Sequence, residues 1–216
     1  MHYKIIIKRM IDIIMTVLLL FLMGYQFFGD RAHEYAGAAL FLCFIVHHIL
    51  NINWHKAMFR GKYYPVRIYQ SILNSLLLMA MIGLMWSGIL LSRHVFVWIS
   101  LPGKISVARL VHMVSAYWGF IFMAMHIGLH LSMICKNIQI KNESRRKLIK
   151  IIGYGIAVYG IYAFFKRNIV NYLFLKTQFV FFDFMESKVL FYVDYLSIVI
   201  LFVLAADWLW KILKAR

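Results

Sequence analysis

The chain has 216 residues, 63% of them apolar and 15% charged, whereas a soluble domain is about half apolar and a quarter charged. Two prolines, 12 glycines and two cysteines exclude collagen-like, disordered and turn-rich all-β architectures as well as a disulfide framework or a four-thiolate metal site. The net charge of +16 is carried by residues lying between apolar segments rather than along one face, so the expected anionic partner is the membrane lipid headgroup layer and not nucleic acid.

Mostly apolar stretches of about 20 residues, long enough to cross the hydrocarbon core as helix, occur at 11–28, 33–53, 70–91, 107–134, 148–165 and 189–210. The expected fold is all-α: a polytopic membrane bundle of six transmembrane helices forming one membrane domain over 1–216. The first stretch follows Lys4, Lys8 and Arg9 as a signal peptide would. No small-residue cleavage site comes after it, so it reads as a retained helix. Alternate loops carry sixteen and eight Lys and Arg residues, and the positive-inside rule then places both termini in the cytoplasm. The segment 166–188, with Phe179, Phe181, Phe182 and Phe184 among polar residues, is too polar to span and is expected at the outer interface. Trp54, Trp98, Trp208 and Trp210 sit near span ends, as interfacial aromatics do.

Nine histidines are many for such a chain, because ionisable groups at membrane depth are costly and therefore functional candidates. His33 and His47 share the second span, and His112 and His126 share the fourth; both separations are 14 residues. At 100° and 1.5 Å per residue, each pair lies on one helix face with about 21 Å between its members. The loop charges make the two spans parallel, so His33 meets His112 at outer depth and His47 meets His126 at inner depth. Two stacked bis-imidazole sites are expected, each offering two axial ligands to the iron of a flat tetrapyrrole. Gly37, one turn after His33, and Gly119, between His112 and His126, would let a macrocycle approach the helix backbone. The four-helix haem-binding core then covers 10–135, and 148–210 adds two further helices.

A lone intramembrane histidine can equally be a hydrogen-bonded packing residue, and glycines are common in membrane helices for packing alone. The paired spacing on two helices favours ligation. The inner choice stays open: His48 follows His47, and His130 lies one turn below His126, so a His48–His130 pair is the alternative. His130 could instead meet a propionate, a quinone headgroup or a third haem. His2 and His55 are expected at the cytoplasmic interface and His94 near the outer surface, none of them as ligands. A zinc site from His47, His48 and His55 lacks a nearby thiolate or carboxylate. Propionates would pair with Arg31, Arg93 or Arg109 outside, and with Lys56, Arg60, Arg67 or Lys136 inside. Without C-x-x-C-H there is no covalent c-type attachment, so two haem b groups are expected. Nucleotide-binding and hydrolase motifs are absent as well.

The run His33-Glu-Tyr-Ala-Gly37, the run His47-His48-Ile-Leu-Asn51-Ile-Asn53-Trp54-His55, His112, and His126-Ile-Gly128-Leu-His130 together resemble the flavinylation-associated cytochrome family over residues 10–135. The 14-residue spacing is also similar to that of the cytochrome b subunit of quinol–cytochrome c reductases. The resemblance implies a small diheme b-type cytochrome of the bacterial cytoplasmic membrane, with His33, His47, His112 and His126 as ligands. It also implies an extracytoplasmic flavin- or metal-containing redox partner. The doubled His47-His48 and the extra His130 depart from the simplest pattern, and the last two spans lie outside it.

The expected function is transmembrane electron transfer between a quinol or reduced flavin and that partner, either outward to the partner or in the reverse direction inward to quinone, with quinone as a further candidate cofactor. A membrane oxidoreductase acting on superoxide or a ferric chelate is the enzymatic alternative; iron with two histidine ligands has no open position but permits outer-sphere transfer. A haem-free transporter using histidines as proton relays is the third.

Overall fold

The computed structural model describes residues 2–58, 60, 62–99, 102–138, 142–183 and 185–215. Eight helices follow one another: α1 (His2–Met23), α2 (Tyr25–Leu50), α3 (Ile52–Met58), α4 (Pro65–Leu91), α5 (Ile105–Ile138), α6 (Glu143–Lys166), α7 (Ile169–Leu173) and α8 (Lys188–Lys214). No strand occurs among the described residues. Helix is the form that satisfies every backbone donor and acceptor within its own segment, as a lipid environment requires.

Five helices are long and apolar enough to cross a membrane: α2, α4, the Ile105–Cys135 part of α5, α6 and α8. The chain is therefore an all-helical, multi-pass membrane protein. Helix α1 is not among the five, because Lys4, Lys8, Arg9 and Asp12 crowd its first half. The stretch 11–28 is divided at a turn at Gly24, and residues 25–28 open α2. The side chains of His2 and Lys136, and residue Phe184, lie outside the described residues.

The described chain forms two compact units, Met1–Lys62 with Ile82–His112, and Tyr63–Met81 with Met113–Arg216. Their boundaries cut through α4 and α5.

In the first unit α1 and α2 form an antiparallel hairpin. Lys8 Nζ donates to Asn51 Oδ1 at 3.0 Å, and Asp12 Oδ1 lies 2.7 Å from His47 Nδ1. Both pairs are centred on residues 29 and 30, and the backbone leaves helical geometry there: Gly29 has φ 73° and ψ −179°, a region open in practice to glycine alone. The reversal of direction is therefore fixed by one residue without a Cβ. Beyond it, the Glu34 carboxylate accepts four hydrogen bonds from the segment after α4. The donors are Ser92 Oγ at 2.7 Å and the backbone amides of Arg93, His94 and Val95 at 2.8, 2.8 and 3.1 Å. This ties the α2 turn carrying His33 to the end of α4.

In the second unit, small residues let helices approach. A Cβ on Gly128 of α5 would stand 2.5 Å from the Val203 carbonyl oxygen and 2.7 Å from Ala206 Cβ of α8. Gly160 of α6 lies equally close to the Ser197 backbone. Asp194 of α8 has no exposed surface. Its carboxylate accepts from Tyr159 Oη at 2.5 Å, Lys166 Nζ at 2.8 Å and Arg167 Nε at 2.8 Å. Arg167 also pairs with Glu186 through both terminal nitrogens. Burial penalises the guanidinium charge, but these carboxylates more than offset it and raise its pKa, so the network keeps its charges. Tyr117 stacks on Tyr172 at 4.6 Å, and Trp118 donates to the Leu173 carbonyl at 3.0 Å. Between α6 and α8, residues 167–187 hold only the five-residue α7 and irregular chain among the described residues, with Phe179 and Phe181 exposed.

Candidate functional site

Two expected ligands meet. The His33 and His112 rings, one from α2 and one from α5, lie with centroids 6.0 Å apart and planes at 62°. Two imidazoles on opposite sides of one metal, each bonded at about 2 Å, hold their ring centres about 6 Å apart. The separation suits an axial ligand pair.

The proton positions suit it as well. Ser87 of α4 donates its single hydroxyl proton back to its own helix, to the Gly83 carbonyl at 2.6 Å, with the Leu84 carbonyl at 3.2 Å. Its oxygen can then only accept from His112 Nδ1, which is 3.0 Å away. That makes Nδ1 the protonated nitrogen of a neutral His112 and leaves the lone pair on Nε2. Such an anchored ring is what a metal-ligating histidine needs. His33 is held differently: Tyr25 packs edge-on against it at 5.2 Å, and His33 Nδ1 is buried without a hydrogen-bond partner.

Gly88 of α4 comes close to His112. A Cβ on Gly88 would stand 3.9 Å from His112 Cε1, whereas Gly119 is a buried residue of the second unit. Nothing lies within 4 Å of where a Gly37 Cβ would be, so open space faces the helix one turn after His33. Arg31 and Arg109 are exposed close to the two histidines in sequence. Arg93 instead reaches Asp30 at 3.8 Å.

The other two expected ligands fall in different units, His47 in the first and His126 in the second. Each repeats the His112 arrangement within its own unit. His47 Nδ1 lies 2.7 Å from Asp12 Oδ1, and His126 Nδ1 lies 2.8 Å from Asn74 Oδ1 of α4. Both partners are acceptors, so both rings, when neutral, carry the proton on Nδ1 and the lone pair on Nε2. The His130 ring stands edge-on to His126 at 5.1 Å. His48 Nδ1 lies 2.8 Å from His55 Nε2, joining the end of α2 to α3. His94 is exposed, and its backbone amide serves Glu34. Among the described residues no three His, Cys, Asp or Glu side chains gather as a direct metal cage.

Ser87, Asn74, Asp12 and Glu34 were not singled out by sequence reading. For Asp12 and Glu34 the signal was available, since a carboxylate inside a long apolar helix needs a partner. Ser87 and Asn74 carry no such signal. No family model matches the chain, and no curated protein or solved structure is significantly similar to it.

Proposed function

We propose that the chain is a diheme b-type membrane cytochrome that moves electrons across the bacterial cytoplasmic membrane. The donor is a quinol or flavin at the cytoplasmic side, and the acceptor is a flavin- or metal-containing protein outside. The observation that carries this reading is the His33–His112 pair at 6.0 Å with His112 Nδ1 anchored by Ser87. A bound haem would supply a one-electron Fe(III)/Fe(II) couple. The chain's own part is to bring two imidazoles together, hold His112 in the ligating tautomer, keep water from the pair, and offer cations such as Arg31 and Arg109 to propionates. His47 and His126, each within its own unit, are candidate ligands of a second haem by the 14-residue spacing and by their Nδ1 partners Asp12 and Asn74.

In this reading α1 is the sixth membrane helix, with both termini cytoplasmic. Pairing with His47 lowers the cost of placing Asp12 in an apolar helix.

The test is a reduced-minus-oxidised spectrum of the detergent-solubilised protein with haem quantified per chain. Two b-type haems are expected, and His33→Ala or His112→Ala should each remove one of them. A protein without haem after haem-replete expression would overturn the reading.

A further inference from the structure

His33 lacks the polar anchor that the other three expected ligands have at Nδ1. Its own Nδ1 is buried without a hydrogen-bond partner, so no bond at that nitrogen sets the plane of the ring. The two carboxylates nearby act on the ring through space but are bonded elsewhere. Glu34 accepts from Ser92 Oγ and the amides of Arg93, His94 and Val95. Asp30 accepts from Tyr25 Oη and lies 3.8 Å from Arg93. Tyr25 itself stands edge-on to the His33 ring, with centroids 5.2 Å apart and planes at 87°.

The backbone builds that contact. In an unbroken helix, residues eight apart are separated by about 12 Å along the axis, and the Tyr25 side chain would lean toward the N-terminus, away from His33. The break at Gly29, with φ 73° and ψ −179°, lies between the two and lets them meet. Tyr25 is 39% exposed, so burial alone does not confine it. The bond from its hydroxyl to Asp30, one residue past the break, does. An edge-on aromatic contact of this kind favours one ring orientation by roughly two- to tenfold.

We infer that Tyr25, tethered by Asp30, is a positioning residue for His33: it fixes the plane of that imidazole, so that His33 and His112 face each other crossed, at 62°, and not parallel. The His112 ring is held separately, by Ser87 of α4. One plane is thus set by a hydrogen bond and the other by an aromatic edge. What the two rings hold rests on the function proposed above. For an iron between two imidazoles, crossed ligand planes leave two of its d orbitals nearly equal in energy, whereas parallel planes split them, and the two cases differ in magnetic resonance.

Two measurements on the full chain test this. In histidine-selective NMR of haem-free protein in detergent, the His33 ring signals, assigned by their loss in His33→Ala, should shift and broaden in Tyr25→Ala. They should broaden less in Tyr25→Phe, which keeps the ring and loses the tether, and in Asp30→Ala, which loses the tether alone. Low-temperature electron paramagnetic resonance of the ferric, haem-loaded protein should contain the single large-g signal of crossed imidazoles, assigned by its loss in His112→Ala. In Tyr25→Ala that signal should move toward the three-line rhombic signal of parallel planes, and Tyr25→Phe should restore most of it. His33 ring signals unchanged in Tyr25→Ala would overturn the positioning role; if that variant does not fold, unchanged signals in Asp30→Ala would do the same. A rhombic signal in the wild type, or a large-g signal indifferent to Tyr25→Ala, would overturn the crossed arrangement. A wild-type protein that binds no haem would overturn the proposed function, and the NMR result would still decide the positioning role alone.

Discussion

Replacing Ser87 with alanine separates the ligating role proposed for His112 from a packing role. Ser87 is fully buried, and its oxygen is the acceptor for His112 Nδ1 at 3.0 Å. Its own proton is used within α4, on the Gly83 carbonyl, which retains its ordinary helical partner in the variant. Alanine therefore costs the helix nothing and adds about 0.5 kcal/mol of propensity. The whole loss falls on His112, whose Nδ1–H would be left buried and unpaired at about 1–3 kcal/mol. Haem-free protein escapes that cost by moving the proton to Nε2, so its stability should change by less than about 1 kcal/mol. Haem-bound protein cannot escape in this way, because Nε2 is then the ligand atom. The cost should appear as a haem affinity about 10–100 times weaker, and at 1.4 kcal/mol per tenfold this agrees with the price of one unpaired N–H. The assay is a Soret titration of haem into detergent-solubilised haem-free protein, with thermal melts alongside. Wild-type affinity in Ser87→Ala would refute the tautomer argument. So would a melt lowered as much as the affinity, which would make Ser87 a packing residue.

Three further substitutions probe the second unit, all by thermal unfolding in detergent. Gly128→Ala forces a methyl to 2.5 Å from the Val203 carbonyl oxygen and should destabilise by about 1–3 kcal/mol. Gly153→Ala on α6, where nothing lies within 4 Å, should be neutral or slightly stabilising through helix propensity. Asp194→Ala leaves the Lys166 and Arg167 charges without their shared acceptor and should destabilise by about 3–5 kcal/mol; if it unfolds no earlier than wild type, the network is not holding α6 to α8.

The helices were legible because a bilayer leaves a chain few choices: long apolar runs with charged ends must be helix. The meeting of His33 and His112 was legible for a related reason, since the positions of two residues on parallel helices follow from spacing and loop charge alone. The partners of the histidines were not. A hydrogen bond between helices depends on how each is rotated about its axis, and that rotation is set by many contacts at once. The register by which Asp12 meets His47 comes from the point of reversal, Gly29, and nothing in the sequence sets Gly29 apart from Gly24 five residues earlier.

The hydrogen bonds of three of the four expected ligands share one form. A histidine can bond through either ring nitrogen: His55, never expected as a ligand, bonds through Nε2 to Nδ1 of His48, the alternative inner ligand. His112, His47 and His126 bond instead through Nδ1, to a hydroxyl, a carboxylate and an amide oxygen from α4 or α1. All three acceptors require a proton on Nδ1, so each neutral ring keeps its lone pair on Nε2, the atom farther from its own backbone and better able to reach a metal between helices. Three chemically different groups enforcing one tautomer favour selection for that outcome over coincidence of packing. This is why the variants most informative about function are Ser87→Ala and Asp12→Asn, which leave every histidine in place and change only which nitrogen holds the proton.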